Sequence, residues 1–327
     1  MTKTSPRAIL EKSRKKRDRV VSIVVIGSVF VDIKGYPLEA FIAGGRNMGR
    51  IEQVHGGVCR NVAENIANLE LRPIFVSLVD ESGTGRDVIE KLERHKVDTR
   101  YIRRTPEGMG TWLAVFDSDY DVTAAISARP DLMPIATILD EQGDEIFARA
   151  DSVLFELDMD KEIVKRIFAL AKKYSKPLYA VVSNMRLAIP RRDFLTELDC
   201  FVCNKQEAGI LFSEDFESYS PAEMAAILAD RIENAGISRM VVTLGADGAV
   251  YAEHGSCGLC PAWKVDVQDT TGAGDAFFSG VAVGLTYGKS LAEACAIGTK
   301  LSASVIVTTE NVCPRFRPEE FGLPAVE

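Results

Sequence analysis

The sequence contains no run of about 18 or more apolar residues, so no segment is expected to span a membrane. Residues 1–19 are polar and basic and lack the apolar centre of a secretory leader, and a cytoplasmic location is the expectation. There is no internal repeat and no low-complexity linker. Cysteine is sparse and odd in number, seven in 327 residues. That count, without an export signal, excludes a disulfide framework and leaves free thiols.

Two cysteine spacings have the two-residue gap of a zinc knuckle, Cys200-Phe-Val-Cys203 and Cys257-Gly-Leu-Cys260. Residues 199–203 read as a buried strand, on which positions i and i+3 face opposite ways. The second pair, beside Gly255 and Gly258, has residues suited to a turn. A knuckle needs a turn in both, so no stoichiometric zinc is expected.

What is present is an ordinary folded composition, 46% hydrophobic and 26% charged. The net charge of −8 is unevenly spread. Residues 1–19 hold eight basic and two acidic side chains, a net of +6, which leaves −14 on the remainder. Such an arm has the charge to touch nucleic acid or an acidic partner. The simpler reading is a solvated, flexible extension that cannot bury apolar surface, and no nucleic-acid partner is expected.

From residue 20 onward, apolar runs of strand length alternate with helical patterns. Residues 20–27 (VVSIVVIG) form a β-branched run of the kind buried in a parallel sheet. Further strands are predicted at 73–79, 152–157, 177–182, 198–203 and 239–244. Helices are predicted at 61–71, 85–95, 161–174, 221–236, 273–286 and 291–307. This rhythm predicts an α/β domain over 20–327, with a mostly parallel sheet between two helical layers. Segments of about 30–55 and 100–127 break the pattern; TWLAVF (111–116) and 122–126 read as a β-hairpin. They predict a small projecting β-sheet, placed to serve as a lid over a site at the strand ends.

The most specific string is DTTGAGDAFFSG at 269–280. Gly272, Ala273 and Gly274 open a long helix, whose N-terminal amides and dipole favour an anion such as a moving phosphoryl group. Asp275, in the first turn, is placed to take a proton from an attacking hydroxyl.

That string resembles the signature of the ribokinase-like (PfkB) carbohydrate kinases, and the resemblance runs over about 20–310. VIGSVFVD (25–32) is similar to the family's first strand, where the acid, here Asp32, contacts sugar hydroxyls. GGVCRNVA (56–63) is similar to its second glycine motif, with Gly56, Gly57 and Asn61 in substrate-binding positions; Thr111 is a further substrate contact by the same resemblance. Asn204-Lys-Gln-Glu207 resembles the NxxE element, in which Glu207 organises Mg²⁺ through water. TLGADG (243–248) resembles the turn along the nucleotide phosphates, placing Asn204, Thr243, Gly245, Gly248 and Lys300 beside ATP. The resemblance also implies a K⁺ near Asp269 and a homodimer through the lid. Each motif has a plainer reading as well: Asp32 as a turn acid, Asn61 as a helix cap, Glu207 as a first-turn dipole partner, and Gly245 and Gly248 as hairpin glycines.

Within the family, GGVCRNVAEN (56–65) and VDIKGY (31–36) are most similar to pseudouridine kinases. The implied reaction is ATP-dependent phosphorylation of a 5′-hydroxyl, with pseudouridine as the expected acceptor. Ribokinase, fructokinase and other sugar or nucleoside kinase activities are alternatives, as is a non-catalytic nucleoside sensor. Three departures bear on base recognition: Cys59 stands in place of a glycine, no Asp follows 178–182, and 127–131 lacks an Asn-Asp pair.

Overall fold

The computed structural model describes residues 21–117 and 122–325. The basic arm at 1–19 and the tip of the expected hairpin, 118–121, lie outside the described residues. In chain order the strands are β1 (Ile23–Ile26), β2 (Phe30–Pro37), β3 (Gly49–Gly56), β4 (Ile74–Val79), β5 (Asp98–Arg104), β6 (Gly110–Phe116) and β7 (Val122–Ala128). They continue with β8 (Ser152–Glu156), β9 (Leu178–Val181), β10 (Cys200–Asn204), β11 (Arg239–Thr243), β12 (Ala249–Glu253) and β13 (Ser256–Cys260). The longer helices are α1 (Val58–Ala67), α2 (Gly83–Arg94), α3 (Pro134–Arg149), α4 (Lys161–Tyr174), α5 (Lys205–Phe212), α6 (Pro221–Ala235), α7 (Ala273–Thr286) and α8 (Leu291–Ile306).

Among the described residues the strands form two sheets. The larger has nine, in the order β13-β12-β11-β10-β9-β8-β1-β4-β5. It is parallel from β11 to β5 and ends in the antiparallel pair β12 and β13. All four residues of β1 are buried, as an unbroken IVVI run requires of a strand covered on both faces. Val24 and Ile26 pack on the side of α3, α4 and α6, while Ile23 and Val25 pack with α1, α7 and α8. The result is a three-layer α/β/α sandwich with two apolar cores.

The smaller sheet has the order β3-β2-β6-β7. The β6–β7 hairpin forms as expected, pairing Leu113 with Ile126 and Trp112 with Ser127. However, β5 belongs to the edge of the main sheet beside β4, so the second lid segment starts at Gly110 and not near residue 100.

Besides β5 and a short helix at Met185–Ala188, two of the longer helices and two strands among the described residues escape the sequence reading. Helix α3 carries Asp140, Gly143 and Asp144 in its interior, which blurs its apolar stripe. Gly143 lets α4 approach closely, since a Cβ there would lie 2.5 Å from the tip of the Leu170 side chain, which would have to move. Helix α5 is only eight residues long, and β12 and β13 are short. The second CxxC lies on β13 and not on a turn, with Cys257 exposed and Cys260 buried. Cys200 and Cys203 face opposite cores, as expected of i and i+3 on a strand.

The packing of α7 against α8 fixes the helix whose start the signature string forms. The two cross at Gly280 and Gly298, where a Cβ on Gly280 would lie 2.5 Å from the Gly298 nitrogen. Helix α8 is held at its own start by Ser290 and Glu293, each bonding the other's backbone amide. No helix among the described residues is long and apolar enough to cross a membrane. Gly280→Val should overpack the α7–α8 contact and lower stability by about 3 kcal/mol, measured by urea unfolding.

Candidate active site

The site lies at the carboxyl ends of β1 and β8, where α1 and α7 begin. Helix α7 starts after Gly272, whose φ of 81° lies in the left-handed region that glycine adopts without strain. A side chain there would also collide with the Asn311 carbonyl. No side chain caps α7. The Ala273 amide is turned inward to the Thr270 carbonyl at 3.2 Å, so it is not among the amides offered to a ligand.

Two cavities flank this helix start. One, of about 400 Å³, is lined by Asp32, Gly57, Asn61, Trp112, Gly272 and Asp275, among others. The other, of about 120 Å³, is lined by Thr243, Gly245, Gly248, Trp263 and Gly274 among its residues. The signature string therefore borders both, with Asp275 on one side and Gly274 on the other. Two reactants placed in the two cavities would meet at the N-terminus of α7, which suits transfer of an anionic group.

Asp275 accepts a hydrogen bond from Asn61 Nδ2 at 2.7 Å. Burial pushes its carboxyl up to about 7; the Asn61 bond opposes this, and the charges of Glu156 and Asp32 add to it. A carboxylate with that proton affinity can accept a proton near neutral pH. Asp32 is likewise pushed up to about 6 by burial, against the pull of Lys34 and Arg60. Gly56 belongs to this arrangement sterically, since a Cβ there would clash with the Asp32 carboxylate.

Several residues of the site were not identified from the sequence. Glu156, fully buried at the end of β8, accepts from the Ser28 amide (3.1 Å), the Ser28 hydroxyl (3.0 Å) and the Cys59 amide (3.1 Å). It thus binds the first turn of α1 from outside the helix. Asp158 holds Arg129, just past β7, at 2.8 Å and Ser183 at 2.7 Å. Lys34 lies 2.9 Å from Asp269. The signal for Glu156 was present: an acid closing an otherwise apolar strand of a parallel sheet lies where ligands bind. Lys34 follows Asp32 by two on β2, the spacing that puts both on one face.

Other expected residues are placed less directly. Thr111 pairs with Val31 and Ala128, and its neighbour Trp112 lines the cavity instead. Lys300 is held by Glu320 at 3.6 Å and by the Phe316 and Phe321 rings, outside the lining of both cavities. Asn204 and Glu207 form a reciprocal cap of α5, each bonding the other's amide at 2.8 Å, so the plain reading of Glu207 as a first-turn partner also holds. Asp269 accepts from the Thr271 amide at 2.8 Å and from Lys34. Burial raises its carboxyl, but those two hydrogen bonds outweigh burial and hold it below the usual range.

Residues 21–315 match the model of the pfkB family of carbohydrate kinases. The chain belongs to the pfkB carbohydrate kinase family. It is an ATP-dependent kinase. The guanosine-inosine kinase of Exiguobacterium acetylicum is 35% identical over 292 residues, covering 88% of this chain and 95% of that one. The pseudouridine kinase of Escherichia coli K12 is 26% identical over 262 residues, covering 80% and 82%. In fold, the kinase matches Arabidopsis thaliana ribokinase complexed with ribose and ATP, with a TM-score of 0.77 at 21% identity over 93% and 99% of the two chains.

In the ligand-free kinase, carbon-detected NMR should find the Asp275 carboxyl titrating near 7. Asn61→Ala removes a donor that favours the charged form, so the midpoint should move upward. A downward or absent movement would contradict the Asn61–Asp275 contact.

Proposed function

We propose that this kinase transfers the γ-phosphoryl group of ATP to the 5′-hydroxyl of a nucleoside, and that guanosine and inosine are better acceptors than pseudouridine. The observation that carries this reading is the larger cavity, in which Asp32, Asn61 and Asp275 share space with the Phe30 and Trp112 side chains. Asn61 Oδ1 is buried with no hydrogen-bond partner among the described residues, an acceptor that a sugar hydroxyl would satisfy. With the ribose hydroxyls at Asp32 and Asn61, the 5′-hydroxyl points to Asp275 and the base to Phe30 and Trp112. The preference for purines rests on the similarity to the guanosine-inosine kinase, which exceeds that to the pseudouridine kinase.

In this mechanism Asp275 takes the proton of the 5′-hydroxyl as its oxygen attacks the γ-phosphorus in line, and ADP leaves toward Thr243, Gly245 and Gly248. The uncapped start of α7 stabilises charge on the transferring group. Magnesium, when bound with ATP, neutralises phosphate charge. Glu207 would hold that ion: burial and the nearby Asp158 charge raise its carboxyl, a strain that a cation would relieve.

A base that buries on the order of 100 Å² of apolar surface gains about 2.5 kcal/mol, so nucleosides should exceed free ribose in kcat/KM by about 10²-fold. A kinetic panel of guanosine, inosine, pseudouridine and ribose tests this, and a preference for ribose would overturn it. Because Asp275 works deprotonated, kcat/KM should fall as pH drops below about 7. Asp275→Asn should lower kcat by about 10² or more while nucleotide binding persists.

A homodimer through the lid is part of the same proposal. Ile51, Leu113 and Ile126 lie exposed on one face of the small sheet, opposite Trp112. Sedimentation should give a dimer, and Leu113→Asp with Ile126→Asp should give a monomer.

A further inference from the structure

Lys34 is the largest charged side chain of the lid sheet to be buried, with only 1% of its surface exposed. Its Nζ donates to Asp269 Oδ2 at 2.9 Å and to Asn311 Oδ1 at 3.2 Å. Each partner leads directly to the site. The other oxygen of Asp269 accepts the Thr271 amide, and Thr271 and Gly272 line the acceptor cavity. Asn311 Nδ2 donates to Asp32 Oδ2 at 3.2 Å. The Asn311 backbone also presses so closely on Gly272 that no side chain would fit between them. One ammonium group therefore ties together β2, the loop that opens α7, and the segment that follows α8.

Family resemblance implies a K⁺ beside Asp269, and the residues present do not fit that ion. Both oxygens of the Asp269 carboxylate already accept hydrogen bonds, one of them from a cation of the same charge. A K⁺ against this carboxylate would face the Lys34 ammonium at close range, in surroundings too dry to screen the repulsion. The Lys34 side chain reaches from a neighbouring sheet to the carboxylate that the ion would need.

We propose that the Lys34 ammonium is a covalently tethered replacement for a dissociable monovalent cation, positioning the Asp269–Gly272 loop, so that turnover does not require K⁺. A tethered cation is present in every folded molecule, and the loop that opens α7 is set before substrates arrive. Lys34 also lies two residues from Asp32 on the same strand face, so the substrate floor and the helix start are aligned by one group. The inference rests on membership of the kinase family and not on which nucleoside is phosphorylated.

The test compares the full-length kinase with Lys34→Ala and Lys34→Gln, in buffers whose only monovalent cation is tetramethylammonium or K⁺. Wild-type activity and Tm should be the same in both. Lys34→Ala should lose about 10² in kcat through misplacement of the loop, and K⁺ or methylammonium should restore a large part of it. Each added cation should also raise the Tm of Lys34→Ala, because it binds only the folded state. Lys34→Gln keeps hydrogen-bonding capacity without charge and fills the space, so it should stay inactive with or without K⁺. Loss of wild-type activity on exchanging K⁺ for tetramethylammonium would overturn the proposal. So would full activity of Lys34→Gln without K⁺, or failure of every added cation to change Lys34→Ala. The Tm arm needs no acceptor, so a wrong nucleoside assignment cannot be mistaken for a wrong role of Lys34.

Discussion

Four carboxylates, Asp32, Glu156, Asp158 and Asp275, lie close together near the strand ends, and their burial away from water is the constraint that shapes the site. A buried, unpartnered carboxylate shifts its proton affinity upward until it is neutral, which would disable a base needed in its charged form. For three of them the surrounding residues limit that shift: Asn61 donates to Asp275, Lys34 and Arg60 act on Asp32, and the first turn of α1 and Ser28 donate to Glu156. Arg129 and Ser183 both donate to Asp158. Asp275 remains raised, to about 7, which is where a proton acceptor is most effective near neutral pH.

This charge balance explains why distant parts of the chain must come together. Arg129 arrives from just past β7 and Lys34 from β2 of the small sheet, while Glu156 ends β8 of the main sheet and Asp158 follows it. The lid is thereby joined to the core by two ion pairs, Arg129–Asp158 and Lys34–Asp269, whose acidic partners are shielded from water. Breaking either pair leaves a charge in a poorly solvated place, which costs more than loss of an exposed pair. The lid sheet is therefore part of the catalytic architecture as well as a cover.

Glycine shapes the same region through close approach. Gly27, Gly56 and Gly272 stand where a Cβ would strike Cys59 and Glu156, the Asp32 carboxylate, and the Asn311 carbonyl respectively. Without them the carboxylates and the helix starts could not be brought within hydrogen-bonding distance. Cys59, which replaces a glycine of the pseudouridine kinase pattern, fits by filling the space beside Gly27 and bonding the Ile26 carbonyl at 3.2 Å.

The alternation of β-branched runs with helical stripes determined the layered fold, because a strand buried on both faces has to be apolar throughout and a helix covering it has to be apolar on one side. Thus 161–174 and 273–286 were legible to the residue as helices. DTTGAGD likewise fixed the start of α7 and the position of Asp275, since both depend on local backbone chemistry. Helix α3 was not legible, because its interior acids Asp140 and Asp144 find their partners on α4, Arg166 and Lys173. Nor could the sequence show that β5 joins the main sheet, that Trp112 and not Thr111 lines the cavity, or that Lys300 turns to Glu320. Those outcomes depend on pairing partners far along the chain. The Lys34–Asp269 contact spans 235 residues, and only the tertiary structure could bring a lysine of the lid to the carboxylate that precedes the catalytic helix.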